Sequence, residues 1–581
     1  MSLSFLAPSS QDHTLNLGPL ALVAPLLQQL DIAAIIDRHL PADPQQEFSH
    51  GTVLSLLLAA RLCQPNALIH IPQWAHEHAA DILWNIPADK LNDDRLGRCL
   101  DAFFDKRHSI MADVTLRALE WTELSLQRLH FDTTDVRFCG GYVHSRPRTL
   151  LDDLLDRDDR LLPCDHLLPA AHITKGYLSD RPMLQIGITS FVDAQGSVPI
   201  FCHPTDGNHN GHTAIHEQLE LLRQQLPLPE GMQLVSDRGT FSAEHVARLD
   251  RHGYTFLGAV PWNDYQTLYD RHAAQLDWQV ASYLSQEQQR RRQVRSSLPI
   301  EHYEIASVPH QIHDPSDGRS IDCRVLFCYS SAGAAEERQR RTENIDKIRA
   351  GLDQIAEKLR RGHPRTTYAS VVGQIAKLMG KRAAARYFSY ELVPLSSAEQ
   401  DALPAPAKGY RRPSHRLVYR LAAAAAESDA AYDGLSALLT TSPETKSADT
   451  LFTEYKQQPY VELGHHQFKT PIAVCPIFLK SPERVEALVC LLYMALQAFQ
   501  ILERRYRQET PADAPKEERL MTAERLLKAF AVCGIIVRRV PIGQLLYPVR
   551  STGQQRQILE RLGFPTPWQL LAQCVPLAPT G

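Results

Sequence analysis

The stretch between residues 126 and 262 constrains this chain most. Leu129, Phe131 and Thr133 alternate with His130, Asp132 and Thr134, the period-two pattern of a strand with two unlike faces. Residues 184–192 and 197–203 repeat that texture, with Ala194-Gln195-Gly196 as the turn between them. The period then changes. A helix is predicted over 212–225, and a short apolar strand over 232–236 that closes on Asp237-Arg238-Gly239. Ser242 can cap a helix over 243–251, and 254–260 reads as another strand. The order β-β-β-α-β-α-β defines a mixed α/β domain. Asp237 stands at the carboxyl end of its strand, the end at which α/β sheets usually place their chemistry.

The flanks read differently. Leu20, Val23, Ala24, Leu27 and Leu30 fall at helical spacing, as do Val53, Leu56, Leu57 and Ala60. Asn92-Asp93-Asp94 caps a short helix starting at Arg95. Helices in series fit a plain bundle or a helix-turn-helix unit docked on DNA, and the pattern favours the bundle. Residues 334–361 predict a long mixed-charge helix, flanked by short strands near 324–329 and 386–393. Ala422–Ala426 is expected to pack inside a helix or strand. Residues 483–507 carry a broad apolar helical face, 510–516 read as a linker, and helices near 523–535 and 554–562 form a small tail. The predicted organisation is a helical domain 1–125, an α/β core 126–262, an insertion 263–430, a return to the core 431–509 and a helical tail 510–581.

Charge and cysteine usage narrow the class. Lys and Arg number 62 against 66 Asp and Glu, a formal net charge of -4. A protein that coats nucleic acid by bulk charge is excluded, and a local basic groove is not. The 11 cysteines are scattered, without a C-x2-C pair, which argues against a zinc ribbon or a secreted disulfide scaffold. Free thiols in a reducing cytosol are expected. No basic leader follows Met1 and no run of 18 apolar residues is seen, so neither a signal peptide nor a membrane span is expected.

Three carboxylates carry the chemistry. Asp132 lies in the first strand, Asp237 at a strand end 105 positions on (237 − 132), and Glu462 a further 225 on (462 − 237). Two-metal phosphoryl transfer needs several carboxylates around two ions about 3.5–4 Å apart, and hard Mg²⁺ or Mn²⁺ takes oxygen ligands. Singly, each acid has a plainer reading. Asp237 precedes a Gly turn and a helix, Asp132 can bond Thr133 or Thr134, and Glu462 can be a solvated helix residue. The segment from Tyr455 to Lys469 alters the balance. Its spacing is Y-x2-Q-x3-E-x6-K. Tyr455, Glu462 and Lys469 recur at two-turn intervals and share a helix face, with Gln458 on the same stripe. Lys469 can then hold a phosphate beside a metal on Glu462.

On these residues the chain resembles the DDE transposases of bacterial insertion sequences, in the group with a Y-x2-R-x3-E-x6-K signature, and within it insertion sequence family 1634. His130-Phe-Asp132-Thr-Thr134 matches the first acid, Val235-Ser-Asp237-Arg-Gly239 the second, and Glu462 with Lys469 the third-acid motif. The resemblance implies an RNase H-like catalytic domain interrupted by an insertion and flanked by helical regions. It implies two Mg²⁺ (or Mn²⁺) ions held by Asp132, Asp237 and Glu462. It further implies cleavage at transposon ends with strand transfer into target DNA, double-stranded DNA as partner, a homodimer on that DNA, and a cytoplasmic location.

Two departures stand out: Gln458 replaces the signature arginine, and Pro459, tolerated only in a first helical turn, predicts a helix start or kink there. Tyr455, Gln458 and Lys469 are the phosphate candidates of the motif. Arg290, Arg291, Arg292 and Arg295 are the foremost basic cluster for DNA, followed by Lys381 and Arg382, Arg411 and Arg412, and Arg504, Arg505 and Arg507. Two other readings stay open: a transposase-derived DNA-binding protein without catalysis, and an RNase H-like nuclease of other specificity.

Overall fold

The computed structural model describes residues 12–41, 45–148, 168–176, 180–193, 195–209, 211–285, 301–362, 366–380, 382–406, 408–472, 477–540 and 543–574. Arg290, Arg291, Arg292, Arg295 and Lys381 lie outside the described residues.

The N-terminal helices Ile32–His39 and His50–Cys63 pack on a 30-residue helix, α1 (Asp93–Thr122), and Leu20–Gln29 packs on those two. Asn92 accepts the Arg95 N–H at 2.9 Å, and Asp93 and Asp94 favour the positive end of the helix. The short helix expected here is three times longer than its apolar pattern suggests. Its middle carries Arg107 and His108, which look like surface residues in sequence and are buried.

The α/β region forms as its alternation dictates. Strands β1 (Arg128–Arg137), β2 (Pro182–Asp193) and β3 (Gly196–Asp206) make an antiparallel meander. Helix α2 (Gly211–Gln225) leads to β4 (Gln233–Ser236), and α3 (Ala243–Arg251) to β5 (Thr255–Val260). Strands β6 (Tyr303–His313) and β7 (Ser320–Ser330) come from the segment expected to be an insertion. After the 30-residue helix α4 (Ser331–Arg360), β8 (Leu435–Thr440) completes the set. Among the eight longer strands of this ten-stranded sheet the order is β3-β2-β1-β4-β5-β8-β7-β6, with β4 parallel to both its neighbours and the other pairs antiparallel; Thr174–Lys175 adds to β2 and Gln279–Val280 to β6.

The part of the insertion that stands off the sheet is thus smaller than expected. It comprises α4, Tyr368–Met379 and the ribbon Phe388–Pro394 with His415–Leu421, around a core of Ile348, Leu352, Val371, Ile375 and Tyr387. Ala423–Ala430 is helical but has no buried residue, so the alanine run is not core.

Both sheet faces are covered. Leu219, Leu222, Val246 and Leu249 of α2 and α3 pack on Leu129, Phe131, Leu234 and Phe256. The opposite face receives α5 (Ala448–Tyr455), α6 (Pro459–Lys469) and α7 (Pro482–Gln508). Helix α7 is long and apolar enough to cross a membrane by length and composition, and that apolar window is wholly buried inside the protein. Glu486 of α7 accepts Arg107 Nε at 2.8 Å, Arg148 Nη2 at 2.8 Å and the Ala171 N–H at 2.6 Å. One buried carboxylate therefore joins the N-terminal helices, the segment after β1 and α7.

The tail is not all helical. The helix expected over 523–535 ends at Ala529, and Gly534–Val540 pairs with Gly543–Pro548 and with Asp12–Asn16 in a separate three-stranded sheet. Ile535, Ile536 and Val537 are β-branched, and this pairing with the far N-terminal strand decides their state over helical continuation.

Candidate active site

The site begins with a difference in strand length. Strands β1 and β4 run parallel, and their last register pair is Phe131 with Ser236. The next residues are Asp132 and Asp237, on neighbouring strands about 4.8 Å apart. Strand β4 stops there, while β1 runs on to Arg137 without a partner on that side. The result is a notch at the carboxyl edge of the sheet, with one acid on each shoulder.

The stop is local chemistry. Asp237 Oδ1 accepts the Gly239 N–H at 2.9 Å, and its backbone oxygen accepts Thr240 Oγ1–H at 3.1 Å. The chain turns, and Ser242 caps α3 by accepting the His245 N–H at 3.0 Å. The cap role expected of Asp237 and its place in the notch coexist.

Asp132 Oδ1 accepts the Thr133 N–H at 2.7 Å. Burial pushes its carboxyl up to about 7, the Thr133 N–H and Lys469 pull it down, and the charges of Asp237 and Glu462 add to the rise. Asp132 therefore feels both other acids, and the pull of Lys469 does not offset its burial. His465 Nδ1 lies 3.6 Å from Asp132 Oδ2. Burial pushes this imidazole down to about 4, so at neutral pH the contact is not an ion pair.

Helix α6 starts at Pro459, as the proline predicts, with Gln458 as its cap residue in helical geometry (φ −49°, ψ −36°). Tyr455 ends α5 and keeps its place by the site. Its hydroxyl is pushed up to about 12 by burial first, then by Asp237, with Glu462 contributing. Gln458 turns the other way. It is buried, and its Oε1 accepts from His130 Nδ1 at 2.9 Å. The phosphate contact expected of Gln458 is not one that this buried amide makes. Lys469 Nζ donates to Asp135 Oδ1 at 2.9 Å.

These contacts lay α6 along β1. Gln458 sits over His130, His465 over Asp132, and Lys469 over Asp135. From Gln458 to Lys469 a helix rises about 16 Å, and from His130 to Asp135 a strand advances about 16 Å. Glu462 is exposed on the same helical stripe, between Gln458 and His465. Close packing holds the helix down. A Cβ on Gly464 would lie 3.0 Å from Gln500 Nε2, and Ser197 Oγ–H donates to the Tyr460 carbonyl at 3.0 Å. Arg128 ties β1 to α5 through Glu454 at 2.6 Å.

Among the described residues, no three His, Cys, Asp or Glu side chains stand close enough together to hold one ion as arranged. What favours a divalent cation here is the buried carboxyl of Asp132, on which the charges of Asp237 and Glu462 both act. Sequence reading did not single out His130, Asp135, Arg137 or His465 as site residues. His130 shared the strand face of Asp132, and His465 followed Glu462 by one helical turn, and those were the available signals.

Most of the other basic candidates are engaged internally. Arg412 pairs with Asp401, Arg504 with Asp193, Arg505 with Glu509 and Arg507 with Glu503. Arg382 donates to the Leu378 carbonyl, and Arg411 is exposed.

Residues 174–497, more than half of the chain, match the transposase DDE domain family, and the chain belongs to that family. Asp237 and Glu462 fall inside the matched range, and Asp132 precedes it. Residues 13–114 match a domain of unknown function, DUF4277. No curated protein matches. Among solved structures, the cryo-EM structure of the piggyBac transposase synaptic complex with hairpin DNA is similar at 10% identity and a TM-score of 0.33, over 98% of this chain and 89% of that one.

Proposed function

We propose that this chain is a transposase with an RNase H-like core. In this reading it cleaves DNA at the ends of a mobile element and transfers the freed strands into target DNA. What supports it is that Asp132 and Asp237 directly follow a register pair on adjacent parallel strands and that the charges of Asp237 and Glu462 both bear on Asp132. The strand order third-second-first-fourth-fifth, a meander followed by two parallel strands, supports the RNase H-like assignment. The Y-x2-Q-x3-E-x6-K spacing supports membership of the Y-R-E-K group.

Asp132, Asp237 and Glu462 would hold two Mg²⁺ or Mn²⁺ ions. When bound, such ions acidify an attacking hydroxyl and stabilise a departing oxygen. The chain's own residues position the DNA. Asp132 and Asp237, fixed by neighbouring strands, set where the scissile phosphate lies. Tyr455, beside Asp237, offers a hydroxyl that stays protonated at neutral pH and can donate to a phosphate oxygen. Lys469 supplies a cation at the far end of the helix. Double-stranded DNA is the partner, two copies assemble on paired ends, and the protein acts on DNA in the cytoplasm.

The test is nicking of a supercoiled plasmid carrying the element's ends, with Mg²⁺ or Mn²⁺. Wild type nicks at the ends, and Asp132→Asn, Asp237→Asn and Glu462→Gln each lose activity while retaining DNA binding. Full activity in any of the three removes that residue from the site.

A further inference from the structure

Two cations converge on one carboxylate beside the notch. Lys469 Nζ lies 2.9 Å from Asp135 Oδ1, and Arg137 Nε lies 2.5 Å from Asp135 Oδ2. The three groups come from the part of β1 that runs on beyond its pairing with β4 and from the last turn of α6, so they stand at the rim of the acid site. All are partly open to solvent, with side-chain exposures of 42% for Lys469, 59% for Arg137 and 29% for Asp135. Ion pairs this exposed are weak, about 0.2–1 kcal/mol each, so an anion arriving from outside can displace them.

A carboxylate with a cation on each oxygen has the charge pattern of a phosphodiester clamped by two bases. We propose that Arg137 and Lys469 form a phosphate-binding pair for the DNA backbone, and that Asp135 occupies this pair in the free protein and yields it to DNA. Arg137 then supplies from the strand the positive charge that Gln458, buried against His130, does not supply from the helix. Asp135 acts as an internal competitor. It weakens binding of any DNA that does not place a phosphate on the pair, and so favours duplexes seated with the backbone at the notch. The inference rests on the transposase reading of the site and adds two residues to it.

The proposal predicts effects of opposite sign. The probe is a short labelled DNA duplex of arbitrary sequence, titrated with the full-length protein by fluorescence anisotropy over a range of salt. Asp135→Asn removes the carboxylate that the two cations share and should tighten binding roughly two- to five-fold at low salt. Arg137→Gln should weaken binding and reduce the slope of log affinity against log salt by about one, and Lys469→Gln should do the same. A gain of affinity in Asp135→Asn cannot come from damage to the fold, so this variant tests the proposal even if another variant is unstable. If Asp135→Asn binds no more tightly, or Arg137→Gln leaves affinity and salt slope unchanged, the proposal is overturned. Asp132→Asn, assayed alongside for metal-dependent nicking, separates the two levels. Lost nicking there with unmoved binding in the Asp135 and Arg137 variants sinks this inference alone, whereas retained nicking sinks the reading on which it rests.

Discussion

At the residue scale, Asp132 is the group whose behaviour is most determined by its surroundings. Its folded-state carboxyl is raised from 3.8 to about 7, mainly by burial. The folded protein therefore binds this proton more tightly than the unfolded chain. Stability from this group is full below pH about 4 and is lost as pH rises through about 7. In EDTA at pH 8, Asp132→Asn should melt higher than wild type. The gain is at most about 4 kcal/mol, and less because a fifth of the side chain reaches solvent. Near pH 4 the difference should vanish. Calorimetric melting at both pH values checks this, and a variant that melts lower at pH 8 contradicts it.

Gln458 gives a second case. Gln458→Leu removes the acceptor for His130 and leaves that imidazole buried and unpaired, a cost of about 1–3 kcal/mol. The urea midpoint should fall accordingly, and an unchanged midpoint would mean that the hydrogen bond contributes nothing. The three acids were singled out in sequence by the spacing from Tyr455 to Lys469 together with two aspartates in strand-like segments, since each acid alone had a plainer reading. The His130–Gln458 pair was not, because its members are 328 positions apart and each reads as an ordinary polar residue.

At the element scale, the seat of α6 decides where Glu462 points. The helix rests on β3 and α7 through Gly464, where a Cβ already comes within 3.0 Å of Gln500. Gly464→Leu should lift the helix and misplace Glu462. A displacement of about 1 Å can cost roughly 100-fold in rate, so nicking should fall by about that factor while duplex binding persists. Equal nicking in the variant would show that the close approach does not set the site.

Element boundaries in the α/β region followed from alternation and caps. Residues 243–251 and 254–260 were read to within one residue of Ala243–Arg251 and Thr255–Val260. Elements whose state depends on distant partners were not legible. Helix α1 was cut short because Arg107 and His108 look solvated until Glu486 and His203 are brought against them. The helix expected near 523–535 was carried past its end at Ala529 because the strand that pairs with residues 534–538, Asp12–Asn16, lies at the other end of the chain.

At the scale of the whole molecule, one buried charge network holds the pieces together. Glu486 is fully buried and serves Arg107, Arg148 and the Ala171 amide. Removing one partner of such a network strands the others, at roughly 3–5 kcal/mol. Glu486→Ala should therefore lower the thermal transition of the chain strongly, with the N-terminal helices and the sheet losing structure together. Hydrogen exchange by segment checks the coupling, and loosening confined to α7 would argue against it.

The segment expected as an insertion contributes β7, which pairs with β8 in the main sheet, and β6, which pairs with β7. The central claim is that the notch between Asp132 and Asp237, closed by Glu462, is where divalent metal gathers for DNA cleavage. The most direct test is anomalous scattering from crystals soaked in Mn²⁺. The account predicts a peak between the Asp132 and Asp237 carboxylates that disappears in Asp132→Asn. A peak elsewhere, or one that persists unchanged in that variant, would contradict it.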